Sequence, residues 1–250
     1  MVRGKTAFIT GGSSGIGRAT ALAFGREGAN VIIASRDEVK GKHVENELQT
    51  LGVKSKWLQL DVSDAAAVAT AVAKAQSLFG QINYAFNNAK SGGRADMVAD
   101  IDVQEWEKTM SGVLSSVFYC MKYELQVMQE QGAGVIINNA SVDGLRGFPW
   151  DPAYSAAKHG VIGLTKSAAI QYAAKGIRIN AVCPSWVRTP PIEARLQRTP
   201  EQETDMLSHM PIGRLGRPEE IAEAVVWMCS DKAALVIGAA MPVDGGYTAV

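Results

Sequence analysis

The stretch TAFITGGSSGIGRATALAFGREG, residues 6–28, decides how this chain is read. Five residues of strand character run into two glycines and two serines, and a helix of small and apolar residues follows, ending at Gly28. Gly11 permits a tight turn, while Gly15 and Gly17 allow backbone to approach a ligand and the helix to pack closely on the strand. Unsatisfied N–H groups and the positive end of the helix then favour a pyrophosphate. The spacing is Gly-x3-Gly-x-Gly, wider than the usual dinucleotide fingerprint. Its strand–turn–helix context predicts dinucleotide binding rather than a merely structural turn.

Outward from this unit the same order repeats. Strands are predicted over 6–10, 30–35, 55–60, 82–87, 134–141 and 177–184, with a last short one near GAAMPVD (238–244). Helices are predicted between them: 15–28, one up to about Gly52, 64–79, a single long helix over 102–131, another over 153–175, and 218–230 with Pro218 in its first turn. Strands alternating with helices imply an α/β fold: one doubly wound, Rossmann-like parallel sheet of about seven strands with helices on both faces. Residues 1–250 read as a single domain. The stretch 184–216, rich in proline and arginine, reads as an irregular lid over a substrate site.

The 25 basic and 25 acidic residues balance. No basic excess points to nucleic acid or anionic lipid. No apolar run reaches the roughly 18 residues of a membrane span, and the first ten residues lead straight into a strand with no signal-peptide pattern. The three cysteines, Cys120, Cys183 and Cys229, lack metal-ligand spacing. They are expected to be buried free thiols of a cytoplasmic protein that needs no metal. His43, His159 and His209 have no clustered acidic or cysteine partners and read as structural or solvated. Met110, Met121 and Met128 read as core or interface filler.

The second strand aims a selector residue at the adenosine ribose of a bound cofactor. Ser35 stands where an acid would hold both ribose hydroxyls, and Arg36 follows. Serine does not repel a 2′-phosphate, and arginine holds one with charge-assisted hydrogen bonds. NADP(H) is therefore expected in preference to NAD(H). The opposing reading gives the ribose to Asp37 and sends Arg36 to solvent. Asp61 and Val62, at the end of the third strand, are placed to meet the adenine, and Asp61 is equally suited to cap the following turn.

The motif YSAAK, Tyr154 to Lys158, opens the second long helix. Residues four apart share a helical face, and an ammonium beside a phenol favours phenolate, lowering its pKa from about 10 towards working pH. Tyr154 is thus a candidate acid for carbonyl reduction and base for alcohol oxidation. Ser141, just past the fifth strand, is placed to bind the substrate oxygen with it.

With these residues together the chain resembles the classical short-chain dehydrogenases/reductases over essentially its whole length. The carriers are TGGSSGIG (10–17), LDVSD (60–64), NNA (87–89), Ser141, YSAAK (154–158), NAVCP (180–184) and PVDGGY (242–247). The resemblance implies a hydride exchanged between nicotinamide and a carbonyl or secondary-alcohol carbon. Tyr154 would be the acid/base, Ser141 would orient the carbonyl, and Lys158 would hold the nicotinamide ribose and lower the tyrosine pKa. It implies cofactor contacts from the turn residues Gly11, Ser13, Ser14, Gly15, Ile16 and Gly17, from Asn88 and Ala89, and from Pro184, Val187 and Thr189. It also implies a homotetramer built on the two long helices and the C-terminal segment.

Three positions depart from the family pattern. The asparagine expected seven residues after a tryptophan is Val113, counted from Trp106, and no asparagine occurs between Asn88 and Asn138. By the resemblance that asparagine helps hold a water of a proton relay to the lysine. Ser185 replaces a glycine after Pro184, and Lys90 replaces the glycine of NNAG; Ile237 in place of a threonine is milder. At position 90 a left-handed backbone would cost a lysine about 1–2 kcal/mol. Its ammonium is expected at the substrate entrance or in solvent.

The retained Ser141, Tyr154 and Lys158 favour an active carbonyl reductase acting on a small ketone or alcohol. The departures favour the alternative, a cofactor-binding sensor or scaffold with impaired catalysis. Trp150, Phe148 and Trp186 are candidate walls for a bulky apolar or aromatic ketone, each open to a packing role instead. Asp143 faces either the substrate or its own loop.

Overall fold

The structure, a computed structural model, describes residues 2–91, 93 and 96–250. Seven strands form one parallel sheet in the order β3-β2-β1-β4-β5-β6-β7. They are β1 (Thr6–Thr10), β2 (Asn30–Ser35), β3 (Ser55–Gln59), β4 (Tyr84–Asn87), β5 (Gly134–Asn139), β6 (Ile177–Pro184) and β7 (Ala240–Val243). The order reverses between β1 and β4, where Thr10 is in register with Asn87. Helices leaving neighbouring strands there go to opposite faces and open a crevice at the strands' carboxyl ends.

Side-chain alternation builds two cores. Phe8 and Ile32 face α3 (Ala65–Phe79), α5 (Ser116–Gln131) and α6 (Pro152–Tyr172), while Ile9 and Ile33 face α1 (Gly15–Arg26), α2 (Glu38–Thr50) and α9 (Pro218–Cys229). All four of these β1 and β2 side chains are fully buried. Burying each is worth about 1.5–3 kcal/mol. Asp37, Asp64 and Asp151 begin α2, α3 and α6 by accepting backbone N–H bonds, each cap contributing about 1 kcal/mol.

Two expectations are corrected. The helix predicted over 102–131 is broken into α4 (Val103–Met110) and α5 by a π-helical turn, Ser111–Ser115. The stretch 184–216 is not irregular: it folds into α7 (Pro190–Arg198) and α8 (Glu201–Ser208), with Pro190 in the first turn of α7. Cys120, Cys183 and Cys229 are buried free thiols. No helix among the described residues is long and apolar enough to cross a membrane, and none of their acidic, histidine or cysteine side chains group to hold a metal ion.

One core group carries a cost. Glu124 is fully buried, and its Oε2 accepts from Asn87 Nδ2 at 3.0 Å. Its Oε1 and Asn87 Oδ1 have no partner among the described residues. Burial pushes the carboxyl up from 4.5 to about 7. Between these values the unfolded chain releases a proton that the folded chain keeps, so stability falls as pH rises through that window and the loss is complete above it. Glu124→Gln is therefore expected to raise Tm at pH 8 by the equivalent of up to about 3 kcal/mol and to raise it much less at pH 5. Thermal melts at the two pH values check this, and an equal change at both would contradict it.

Candidate active site

The glycine turn sits at the carboxyl end of β1. Gly11 and Gly15 have φ of 64° and 50°, the left-handed region. A Cβ at Gly17 would lie 2.2 Å from the Gly11 carbonyl oxygen and 2.6 Å from Asn88 Nδ2. Gly17 thus lies behind the turn, where it lets α1 close on it, while Gly11, Ser13, Ser14, Gly15 and Ile16 line the cleft. Ser14 begins α1 in extended conformation with no side-chain capping bond, and the first turn of α1 has no acidic residue. The first-turn N–H groups and the positive helix end therefore fit a phosphate.

A side-chain clip fixes this turn. Thr10 Oγ1 accepts from the N–H groups of Asn88 and Ala89 at 3.0 and 3.1 Å. Asn88 Nδ2 donates to the carbonyls of Thr10 and Gly11 at 3.1 and 3.3 Å, and Asn88 Oδ1 accepts from Asn139 Nδ2 at 2.9 Å. The amide of Asn88 is spent on joining β1, β4 and β5; with Ala89 the residue also lines the cleft.

At the far end, Ser35, Arg36, Asp37, Lys40, Asp61 and Val62 line the same cleft. Ser35 Oγ accepts from Trp57 Nε1 at 2.9 Å, an arrangement made possible by Gly41, where a Cβ would lie 2.1 Å from the indole. Asp37 caps α2 and pairs with Lys40 Nζ at 3.3 Å, so its carboxylate is engaged. Arg36 is exposed at the cleft mouth. Asp61 accepts from the N–H and hydroxyl of Ser63 at 3.0 and 2.7 Å. These bonds, and less strongly Arg36, hold its carboxyl below the usual range.

Ser141, Tyr154 and Lys158 converge at the centre of the cleft, which measures about 1050 Å³. Asp151 Oδ1 accepts from Tyr154 N–H at 3.0 Å and starts α6 there. Ser141 Oγ accepts from Asp143 N–H at 3.1 Å, and the Ser141 side chain favours the ionised form of Tyr154. Lys158 is buried, and its Nζ lies 5.4 Å from the Tyr154 ring centroid and donates to the Asn139 carbonyl at 2.5 Å. Pro184, Val187 and Thr189 line the opposite side.

A family model described as enoyl-(acyl carrier protein) reductase matches residues 11–248. Cyclohexanol dehydrogenase of Acinetobacter sp. (strain SE19) is 40% identical over 244 residues, 98% of this chain and 95% of that one. Cis-4-hydroxycyclohexanecarboxylate dehydrogenase of Sinomonas cyclohexanicum is 40% identical over 247 residues, 98% of this chain and 97% of that one. The crystal structure of levodione reductase superposes with a TM-score of 0.95 at 35% identity, covering 100% of both chains. The chain belongs to the short-chain dehydrogenase/reductase family. It is an oxidoreductase that uses a nicotinamide cofactor and interconverts alcohol and carbonyl groups.

The departures from the family now have places. Val113 is buried on the π-helical turn. Ser185 Oγ donates to the Asp244 carbonyl at 2.9 Å and so ties the cleft wall to the C-terminal segment. Lys90 has no left-handed backbone, so the strain considered for it does not arise. Its ammonium lies 4.5 Å from the Tyr154 ring centroid, at the cleft, while the residue stays exposed to water.

The tyrosine electrostatics correct an expectation. In the chain alone, burial pushes the Tyr154 hydroxyl up, and Lys90, ahead of Ser141, is the strongest influence opposing it. Lys158 is pushed down to about 7, first by burial and then by repulsion from Lys90. Burial outweighs the lysine–phenol attraction on which the sequence reading rested.

Trp186 meets Phe148 edge-on, with centroids 6.1 Å apart, and packs with Met206 and Leu196 of the α7–α8 segment; it both lines the cleft and holds that segment. Trp150 is 65% exposed and reaches only the rim. Asp143 is half-buried in the cleft, and burial pushes its carboxyl up. His209 also reaches the cleft, although its Nδ1 is satisfied by the Asp205 carbonyl at 2.9 Å. The Asn139 carbonyl and the Asp151 cap carry no motif that sequence reading would single out. Gly17→Ala sets a Cβ against backbone and is expected to cost roughly 1–3 kcal/mol and to weaken binding of the nicotinamide cofactor at least about tenfold. Melts and cofactor titration check this; unchanged values would contradict the close packing.

Proposed function

We propose that this enzyme is an NADP(H)-dependent ketone reductase and secondary-alcohol dehydrogenase with Tyr154 as its acid/base. The observation that carries the reading is the convergence of Ser141, Tyr154 and the buried Lys158 in one cleft with the glycine turn. A bound nicotinamide supplies the hydride chemistry. Ser141 and Tyr154 donate to the substrate oxygen and polarise the carbonyl. As the carbon is reduced, the Tyr154 proton moves to that oxygen, giving the alcohol and a phenolate that regains a proton from solvent. Oxidation runs the same proton step backwards. Lys158, held near 7, is suited to exchange a proton with that phenolate.

NADP(H) rather than NAD(H) is supported by the uncharged Ser35, the exposed Arg36 and the engagement of Asp37 in its cap and ion pair. The substrate we propose is a ring-bearing ketone or secondary alcohol held between Phe148, Trp186, Ile192, Met206 and Tyr247. The relatives named for cyclohexanol and for hydroxycyclohexanecarboxylate support that class. The α7–α8 segment serves as its lid. A homotetramer is supported by apolar side chains left exposed on α5, on α6 and near the C-terminus, namely Phe118, Ile170, Leu235 and Val250. Light scattering tests it. The three free thiols support a reducing cytoplasm.

Tyr154→Phe is expected to lower kcat for cyclohexanone reduction by about 10²–10⁴ with NADPH binding retained. Equal turnover by the variant would overturn the assignment, and a wild type that binds NADPH without any turnover would favour the sensor or scaffold reading. Arg36→Ala is expected to lower kcat/KM for NADPH about tenfold and to leave NADH little changed. A wild-type preference for NADH would overturn the cofactor assignment.

A further inference from the structure

We propose that Lys90 acts through Tyr154: its ammonium, held over the tyrosine ring, stabilises the negative charge that the ring carries in proton transfer, so the site works with two cations instead of one. The proposal rests on the reading of Tyr154 as acid/base.

The placement of Lys90 is built, not incidental. The residue before it is fixed by the Ala89 N–H bond to Thr10 Oγ1 at 3.1 Å. The residue after it is fixed by the Ser91 N–H bond to the Gly112 carbonyl at 3.2 Å, on the π-helical turn. A Cβ at Gly112 would lie 2.3 Å from the Ser91 oxygen, so loop and turn are in close contact. Two residues further on, Gly93 N–H donates to Thr109 Oγ1 at 3.1 Å. From this pinned loop the Lys90 ammonium lies 4.5 Å from the Tyr154 ring centroid, closer than Lys158 at 5.4 Å. Among the described residues it forms no ion pair, so its charge is not neutralised by direct contact.

The charged and titratable groups around Tyr154 come from three segments. Lys90 follows β4, Asp143 follows β5, Asp151 caps α6, and Lys158 lies one turn along α6. Glu105 of α4 and Asp96 act on Asp151 from further out. The two aspartates oppose the phenolate and the Ser141 side chain favours it. Lys158 is buried and held near neutrality, so its own charge is partly lost in the working range. Lys90, by contrast, is exposed to water. The same π-helical turn that holds its loop carries Val113, a side chain with no polar atom to give.

The test is the pH dependence of kcat/KM for cyclohexanol oxidation at saturating NADP+, for wild type, Lys90→Met, Lys90→Gly and Lys90→Arg. A difference absorbance titration of each protein against its Tyr154→Phe counterpart runs beside it and reads the phenolate directly. In the methionine and glycine variants the acidic limb and the phenolate titration are expected to move up by about one pH unit, with arginine restoring both. Added salt is expected to move the wild-type limb upward and leave that of Lys90→Met in place. A rate lowered uniformly at every pH, with limb and titration unmoved, would overturn the proposal and leave Lys90 a residue of the entrance. If Tyr154→Phe turns over like wild type, the acid/base reading itself fails, and Lys90 falls with it. An inactive Tyr154→Phe together with an unmoved Lys90→Met limb refutes the lysine alone.

Discussion

The site depends on one hydroxyl. Thr10 Oγ1 takes two N–H bonds from the backbone beyond β4, and the Asn88 amide returns two bonds to the carbonyls that open the glycine turn. Parallel strands at a switch point have no hairpin to hold their ends together, because their helices leave on opposite faces. The clip supplies that link. It sets the floor of the cleft at the glycine turn, and through Asn139 it reaches β5, whose last carbonyl receives Lys158. Turn, cleft wall and lysine are thereby held as one body.

Burial then decides the charges. Lys158 and Tyr154 lie in a cleft that desolvates both, with Lys90 adding to the push on Lys158 and Asp143 and Asp151 to that on Tyr154. Each is pushed towards its neutral form, and the members of the site must supply charge to one another. Glu124 undergoes the same push in the core, where its half-satisfied carboxyl ties β4 to α5 through Asn87. A family glycine replaced by lysine near such a tyrosine is therefore not an inert exchange.

Much of the fold was legible in the sequence, because each strand is a short apolar run and each helix opens at an aspartate, serine or proline. The glycine turn and the YSAAK pair were legible for the same reason: spacing alone fixes which groups meet. The π-helical turn was not, since SGVLS (111–115) holds no proline to mark a break in the helix. The α7 and α8 helices were hidden by prolines and arginines that resemble a loop, although Pro190 and Pro191 followed by IEARLQR are a helix start. The role of the Asn88 amide and the reach of Lys90 depend on contacts between segments far apart in the chain, which spacing cannot encode.

The π-helical turn has a consequence for how helix α4 is aimed. One residue more than an ordinary turn is taken up between Ser111 and Ser115. An α-helix advances about 100° per residue, so α4 and α5 lie out of angular phase by roughly that step. Val103 and Trp106 are exposed on α4, while Val117, Cys120 and Met121 of α5 are inside. The chain has in effect a dial between its outer and inner helical halves. Shortening that turn by one residue would rotate the outward apolar face of α4 against the rest of the molecule while leaving every strand where it is.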